Sequence, residues 1–392
     1  MDQLRQYFAS RRSQLVEILS QLIRLVTVNP PGQERLAADY VASLLDRWSV
    51  PYQTFEAQPG RTNLVAHVGS GRPRLLVACH LDTVPAGDGW DTPPFEPVVR
   101  DGKLFGRGAS DNKGQLAACL LTLEYLKAHE SELAGQFILA CVADEEQGSA
   151  LGMEYLLREG LVAPDLAIIP DAATDMRKVI IAEKGIVFFD LVSHGKQAHG
   201  STPEKGVNAV WNMIDLLSNL RRLQLPGAHS LLGSATMNLG SIEGGVAANV
   251  VPARCAVRMD MRFLPGTKHS QVLDLVRAAM RRTESDLPYA RFELEVRTAQ
   301  EPIEFPSDHP LVIAICDETA SYLGFRPEAA GIGGSTVAKM CALRDIPAVN
   351  FAPGDSGTAH VANEYIPLDQ LTDFAGLMVR VAARLIGKGR VT

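Results

Sequence analysis

Apolar residues recur at helical spacing through 2–26 (Leu4, Phe8, Leu15, Ile18, Leu19, Leu22, Ile23, Val26), predicting one or two amphipathic helices that stop at Asn29-Pro30-Pro31-Gly32. A helix over about 34–48 and a strand-like run at 62–68 follow. The short apolar run Leu75-Leu76-Val77-Ala78 predicts a buried strand that delivers His80 and Asp82 to a sheet edge. After a Pro/Gly-rich loop at 85–97 come a helix at 113–129, a strand at 137–143, a helix near 149–159 and a strand at 166–169. Strands alternating with helices specify an α/β layer with a mainly parallel central sheet.

Beyond Asp171 the texture changes. Residues 179–192 read as one long strand, followed by a helix at 207–222, strands at 236–243 and 249–263, a helix at 270–282 and a strand at 292–297. That β-α-β-β-α-β order is ferredoxin-like. From about 302 the first pattern resumes, with helices at 309–323 and 335–343, a strand at 348–351 and a C-terminal helix from about 368. The expected organisation is a catalytic domain in two parts, 1–178 and 299–392, interrupted by an α+β lid or dimerisation domain at 179–298.

A chain of 392 residues has room for two such domains and a large core. Its net charge of −7 and the lack of any Lys/Arg block argue against a nucleic-acid surface. The six cysteines lie scattered, mostly in apolar runs and without CxxC spacing, which fits reduced buried thiols. The N-terminus has Arg5, Arg11, Arg12 and Glu17 among its apolar residues rather than a signal-peptide core, and no run approaches the length of a membrane span. A soluble cytoplasmic protein is the expectation.

The chemistry sits where strands end. His80 and Asp82, two apart on extended backbone, share a face, which suits a histidine ligand with a carboxylate beside it. The turn Gly106-Arg107-Gly108-Ala109-Ser110-Asp111 presents one acid just before a helix, and Asp144-Glu145-Glu146 ends another strand. A two-metal site needs a bridging carboxylate, about two further ligands per metal and a base. His80, Asp111, Glu146, Asp171 and His360 are placed to supply the ligands; Glu145 and Glu146 point in different directions on extended backbone, so that one can bind metal while its neighbour faces the cavity as base. Alone, His-x-Asp is more often a packed pair and an acidic triplet a solvated turn; their joint order is what points to metal. Gly106-x-Gly108 fails as a dinucleotide fingerprint because position 111 is Asp.

Taken together, His80-Leu81-Asp82-Thr83-Val84-Pro85, the stretch from Gly106 to Gly114, Asp144-Glu145-Glu146 and the late His360 resemble the M20 family of zinc peptidases and deacylases over essentially the whole chain. The resemblance implies Asp111 as bridging ligand, His80 and Asp171 on one metal, and Glu146 and His360 on the other. It further implies Asp82 orienting His80, Glu145 as general base and then acid, and a cis peptide at Asp111-Asn112. Two Zn2+ per subunit are expected, with Co2+ or Mn2+ as substitutes. In the inserted domain, Gly195 to Pro203 resembles the segment whose histidine reaches the partner subunit's site in dimeric members. That makes His199 an oxyanion stabiliser and implies a homodimer through this domain. Asn249, Arg262, Gly334 and Ser335 match substrate-binding positions, Arg262 being suited to a substrate carboxylate. Lys184 matches a basic position of the lid strand, or is equally a hinge-surface lysine.

The expected reaction is hydrolysis of an amide bond in N-acyl amino acids or short peptides. Asp171, where deacylases tend to carry Glu, leans towards free-amine dipeptides; the chain length and compact lid lean towards deacetylases and desuccinylases. A non-catalytic M20-like binding protein is the rival reading, and a NAD-binding oxidoreductase a weaker one.

Overall fold

The computed structural model describes residues 3–389, and its contacts divide the chain into two compact units. The first comprises residues up to 181, 305–330 and 336 onwards; the second comprises 182–304 and 331–335.

In the first unit the strand order is Tyr52–Glu56, Thr62–Gly69, Gln136–Val142, Arg74–His80, Leu166–Ala173, Ala348–Ala352 and Lys178–Glu183. The four strands from Gln136–Val142 to Ala348–Ala352 run parallel. Both flanks are antiparallel, so the sheet is mixed rather than mainly parallel. Residues 57–61 turn the chain back between two neighbouring strands, and the short connections 70–73 and 174–177 likewise reverse it, after which each strand's direction follows from the neighbour it pairs with. The parallel strands are apolar nearly throughout because helices cover the sheet. The helix Lys113–Ala128, buried along most of its length, and the C-terminal helix Leu368–Ile386 pack together as part of that cover.

Parallel register sets up the chemistry. His80 pairs with Val142, two residues before Asp144, and Val77 pairs with Ile168. Carried three residues on, the second pairing puts Asp171 level with His80. A small sheet absent from the sequence reading joins Tyr365–Pro367, Lys103–Phe105 and Val98–Arg100. Its three-residue strands are too short to leave a periodic signal.

The second unit has the strand order Thr236–Gly244, Arg254–Phe263, Gly185–His194, Arg291–Gln300, all antiparallel. The helices Ala209–Arg221 and His269–Asp286 complete a ferredoxin-like α+β fold. Alternate residues of the sheet (Val187, Phe189, Leu191; Val257, Met259, Met261) meet Met213, Leu216 and Val276 of the helices in one core. The run 179–192 is two strands, not one, broken at Lys184. Lys178–Glu183 pairs with Ala348–Ala352, whereas Gly185–His194 pairs with Arg254–Phe263. Gly185 is required there, since a Cβ would lie 2.3 Å from the Phe263 ring. Lys184 itself is buried, its Nζ donating to the Ser234 carbonyl at 2.5 Å.

Phe189, 1% exposed at the centre of this core, tests the packing. Phe189→Ala is expected to cost about 3–5 kcal/mol, read as a lowered denaturant midpoint of the transition that reports this unit.

Candidate metal centre

His80 ends its strand, and its backbone N–H donates to Asn112 Oδ1 at 3.0 Å. Its ring Nδ1 lies 2.9 Å from the Asp82 carbonyl and donates to it, which turns Nε2 towards Asp111 Oδ1 at 2.8 Å. The other oxygen of Asp111, Oδ2, lies 3.0 Å from His360 Nε2. His360 Nε2 is also 3.2 Å from Glu146 Oε2, while Glu146 Oε1 accepts from the Val84 N–H at 3.2 Å. Asp171 Oδ1 is 4.0 Å from His80 Nε2. Ligand atoms of His80, Asp111 and Glu146 all fall within 4.8 Å of one another. The five candidate ligands thus come together, although they are drawn from positions 80 to 360 of the sequence. The peptide Asp111-Asn112 is cis, and His360 has φ +62°, a left-handed conformation that aims the side chain from a loop.

Two local readings need revision. Glu145 and Glu146 are not on extended backbone: Asp144, at φ +65°, turns the chain into the short helix Glu145–Gln147. The Asp82 carboxylate lies 3.6 Å from His80 Nδ1, beyond hydrogen-bonding range, and it is the carbonyl of Asp82 that meets the ring. That carboxylate instead accepts the N–H groups of Glu145 (3.1 Å) and Glu146 (3.2 Å) and Asn29 Nδ2 (2.9 Å). It thereby fixes the turn carrying both acids.

Behind this turn stands a buried polar cluster that sequence reasoning missed. Arg61 grips Glu34 through two bonds (2.7 and 2.6 Å) and reaches Asp144 Oδ1 at 3.0 Å; Asn29 Nδ2 lies 3.2 Å from the same oxygen. Glu34 Oε1 accepts the Asp144 N–H at 3.1 Å. Glu34 and Arg61 come from a helix start and a loop, where acids and arginines ordinarily face water, so no sequence signal marked them.

In the second unit the segments around His199 and Asn249 are paired: the Gly200 N–H donates to the Asn249 carbonyl at 2.7 Å, and His199 bridges to Val250. Both side chains are exposed. His199 Nδ1 accepts from the Ser201 N–H (3.1 Å) and hydroxyl (2.7 Å), which leaves the proton on Nε2 as an outward donor. Arg262 is held by both oxygens of Asp260 (2.7 and 3.0 Å) and by the Gly333 carbonyl (3.0 Å), over the Phe188 ring. Three of its five donors are committed, leaving two to offer. Ser335 Oγ donates to Gln300 Oε1 at 2.6 Å, and Gly334 is exposed beside it.

Electrostatics match a site built for cations. Burial works against a charged His80, yet Asp111, then Glu145 and Asp82, outweigh it and hold the imidazole well above its usual range. Hydrogen bonds to Asp111 and Glu146 push His360 up to about 10. Asp111, despite its burial, is held below the usual carboxylate range by His360 and His80. Burial and then the Asp171 charge raise Glu145 well above the usual range. Three carboxylates and two imidazoles form a nitrogen–oxygen donor set that fits zinc, cobalt or manganese.

The model of Peptidase family M20/M25/M40 matches residues 76–384. The acetylornithine deacetylase of Proteus mirabilis is 31% identical over 373 residues, covering 90% of this chain and 92% of the relative. Among solved structures, the aminopeptidase PepT of Bacillus cereus aligns with TM-score 0.79 at 22% identity, covering 94% of this chain and 97% of that one. The YXEP protein of Bacillus subtilis, described as a dinuclear metal binding peptidase from the M20 family, aligns with TM-score 0.71 at 14% identity, covering 95% and 98%. The chain belongs to peptidase family M20/M25/M40 and is a metal-dependent hydrolase of amide or peptide bonds. Among the described residues, no helix is long and apolar enough to cross a membrane.

Ligands must lose their protons to bind metal. With His360 at about 10 in the metal-free protein, metal uptake at pH 7 is expected to release protons. Apparent affinity should rise with pH from 6 to 8, by about tenfold per unit for each proton displaced. Calorimetric titration in buffers of different ionisation enthalpy checks this; an affinity flat over that range contradicts it.

Proposed function

We propose that this chain hydrolyses the amide bond of small N-acylated amino acids at a two-zinc centre. Asp111 would bridge the metals, His80 and Asp171 would hold one, and Glu146 and His360 the other. The single observation that carries this is Asp111 itself, one oxygen facing each imidazole. The metals, when bound, supply Lewis acidity and lower the pKa of coordinated water from about 15.7 towards neutrality. Glu145 takes the proton of the attacking water and returns it to the leaving amine. Burial and then the Asp171 charge raise its affinity for protons, which favours holding the proton between the two steps. His199 is the proposed donor to the developing oxyanion, through Nε2–H. Arg262, held in one orientation by Asp260, offers its remaining donors to a substrate carboxylate. Asn249, Gly334 and Ser335 complete the proposed substrate contacts.

The identity to an acetylornithine deacetylase supports a blocked amino acid as substrate. Asp171 favours the second reading, a dipeptidase acting on free amines. Panels of N-acetyl and N-succinyl amino acids and of free dipeptides separate them: turnover confined to dipeptides overturns the deacylase reading, and a metal-loaded protein that turns over neither panel overturns both substrate readings. Glu145→Gln is expected to keep its metal and lose about 10²–10⁴-fold in kcat. Wild-type turnover by the metal-loaded variant removes Glu145 from its role.

We further propose a homodimer through the second unit. Thr236–Gly244 is an edge strand with Leu239 (42%) and Ile242 (50%) exposed. Next to it, Trp211 (64%) and Val246 (79%) line a cavity of about 620 Å³ with Gly244 and Val250. Such an edge invites pairing with a second copy. Trp211→Glu should shift the protein to a monomer in sedimentation, with metal content unchanged. A variant that sediments as wild type, or a monomeric wild-type protein, overturns this interface.

A further inference from the structure

Glu364 lies four residues after His360 and is 0% exposed. Its carboxylate accepts four hydrogen bonds, all from the segment that carries Asp111. Oε1 accepts the N–H groups of Ser110 (2.7 Å) and Asp111 (3.0 Å). Oε2 accepts the Gly108 N–H (3.0 Å) and Arg107 Nη1 (2.7 Å). The carbonyl of Glu364 accepts the Gly106 N–H at 3.0 Å, and the next residue, Tyr365, pairs with Phe105. Arg107, itself buried, continues to the carbonyls of Pro85 (3.3 Å) and Ala86 (2.9 Å) and lies 5.2 Å from the Trp90 ring. One acid therefore closes a set of bonds joining three stretches: the turn bearing Asp111, the loop bearing His360, and the loop after Asp82.

Burying a carboxylate costs several kcal/mol unless its acceptor sites are used and its charge is matched. Here four donors meet about four lone pairs, and a guanidinium matches the charge. A buried pair placed only for packing has no reason to spend three of those bonds on the backbone amides of one turn (Gly108, Ser110 and Asp111), one of them that of the bridging acid itself.

We propose that Glu364 is a positioning residue of the metal centre, holding the Asp111 turn against the His360 loop so that both oxygens of Asp111 face their imidazoles. This rests on the metal reading above. Outer groups that orient ligands typically change metal affinity or activity by about 10–100-fold when removed.

Glu364→Gln keeps the shape but not the chemistry: on either side its NH2 would meet two donors. Glu364→Asp keeps the charge at a shorter reach. Full-length variants, stripped of metal, are titrated with Co2+ and followed by visible absorption of the bound ion. Glu364→Gln should bind Co2+ about 10–100-fold more weakly with an altered band, and Glu364→Asp should fall between it and wild type. In turnover, kcat should fall more than KM rises. Val381→Ala, a core change in the C-terminal helix, serves as a control for lost stability and should keep Co2+ affinity within about twofold. Binding within about twofold of wild type, with an unchanged band, in either Glu364 variant overturns the inference, as does an equal loss in the control. If the Gln variant fails to fold, the Asp variant decides by the same criteria. A wild-type protein that takes up no Co2+ overturns the metal reading itself, and this inference with it.

Discussion

A carboxylate that must serve two imidazoles at once has almost no freedom of orientation, and Asp111 is that carboxylate. With 2.8 Å on one oxygen and 3.0 Å on the other, a modest turn of its plane would forfeit one contact. Much of the first unit serves this constraint. A parallel strand delivers His80, a left-handed loop residue delivers His360, and a cis peptide follows the acid itself. Wherever these segments meet, their backbone amides are taken up by buried acids, Asp82 for the Glu145 turn and Glu364 for the Asp111 turn.

That use of buried acids explains an otherwise costly feature. Glu34, Asp82 and Glu364 are each fully buried, and isolated charges there would be strongly destabilising. Each is instead spent on backbone N–H groups that the irregular turns cannot satisfy within themselves, and two of them are matched by Arg61 and Arg107. A loop-built centre thereby gains rigidity that regular secondary structure would otherwise have to provide.

The second unit solves a different problem with simpler means. Its core is apolar and alternates along the strands, and its polar devices are short-range: Ser201 fixes the His199 tautomer, and Asp260 fixes the Arg262 fork. Preset donors of this kind suit recognition of an anionic group, because little side-chain freedom is lost on binding.

The α/β alternation, the ferredoxin-like order of elements and the candidate ligands were legible in the chain itself. Apolar periodicity reports which face is buried, and acids or imidazoles at the ends of apolar runs stand out against it. What only the tertiary structure decided was of two kinds. Strand direction at the sheet flanks and the break at Lys184 depend on which neighbour a strand pairs with, and the run 179–192 looks the same whether it joins one sheet or two. The roles of Glu34, Arg61, Asp82 and Glu364 depend on hydrogen bonds across 27 to 257 residues of sequence. A lone acid in a sequence carries no mark of burial; only the folded chain brings it the donors that make burial tolerable.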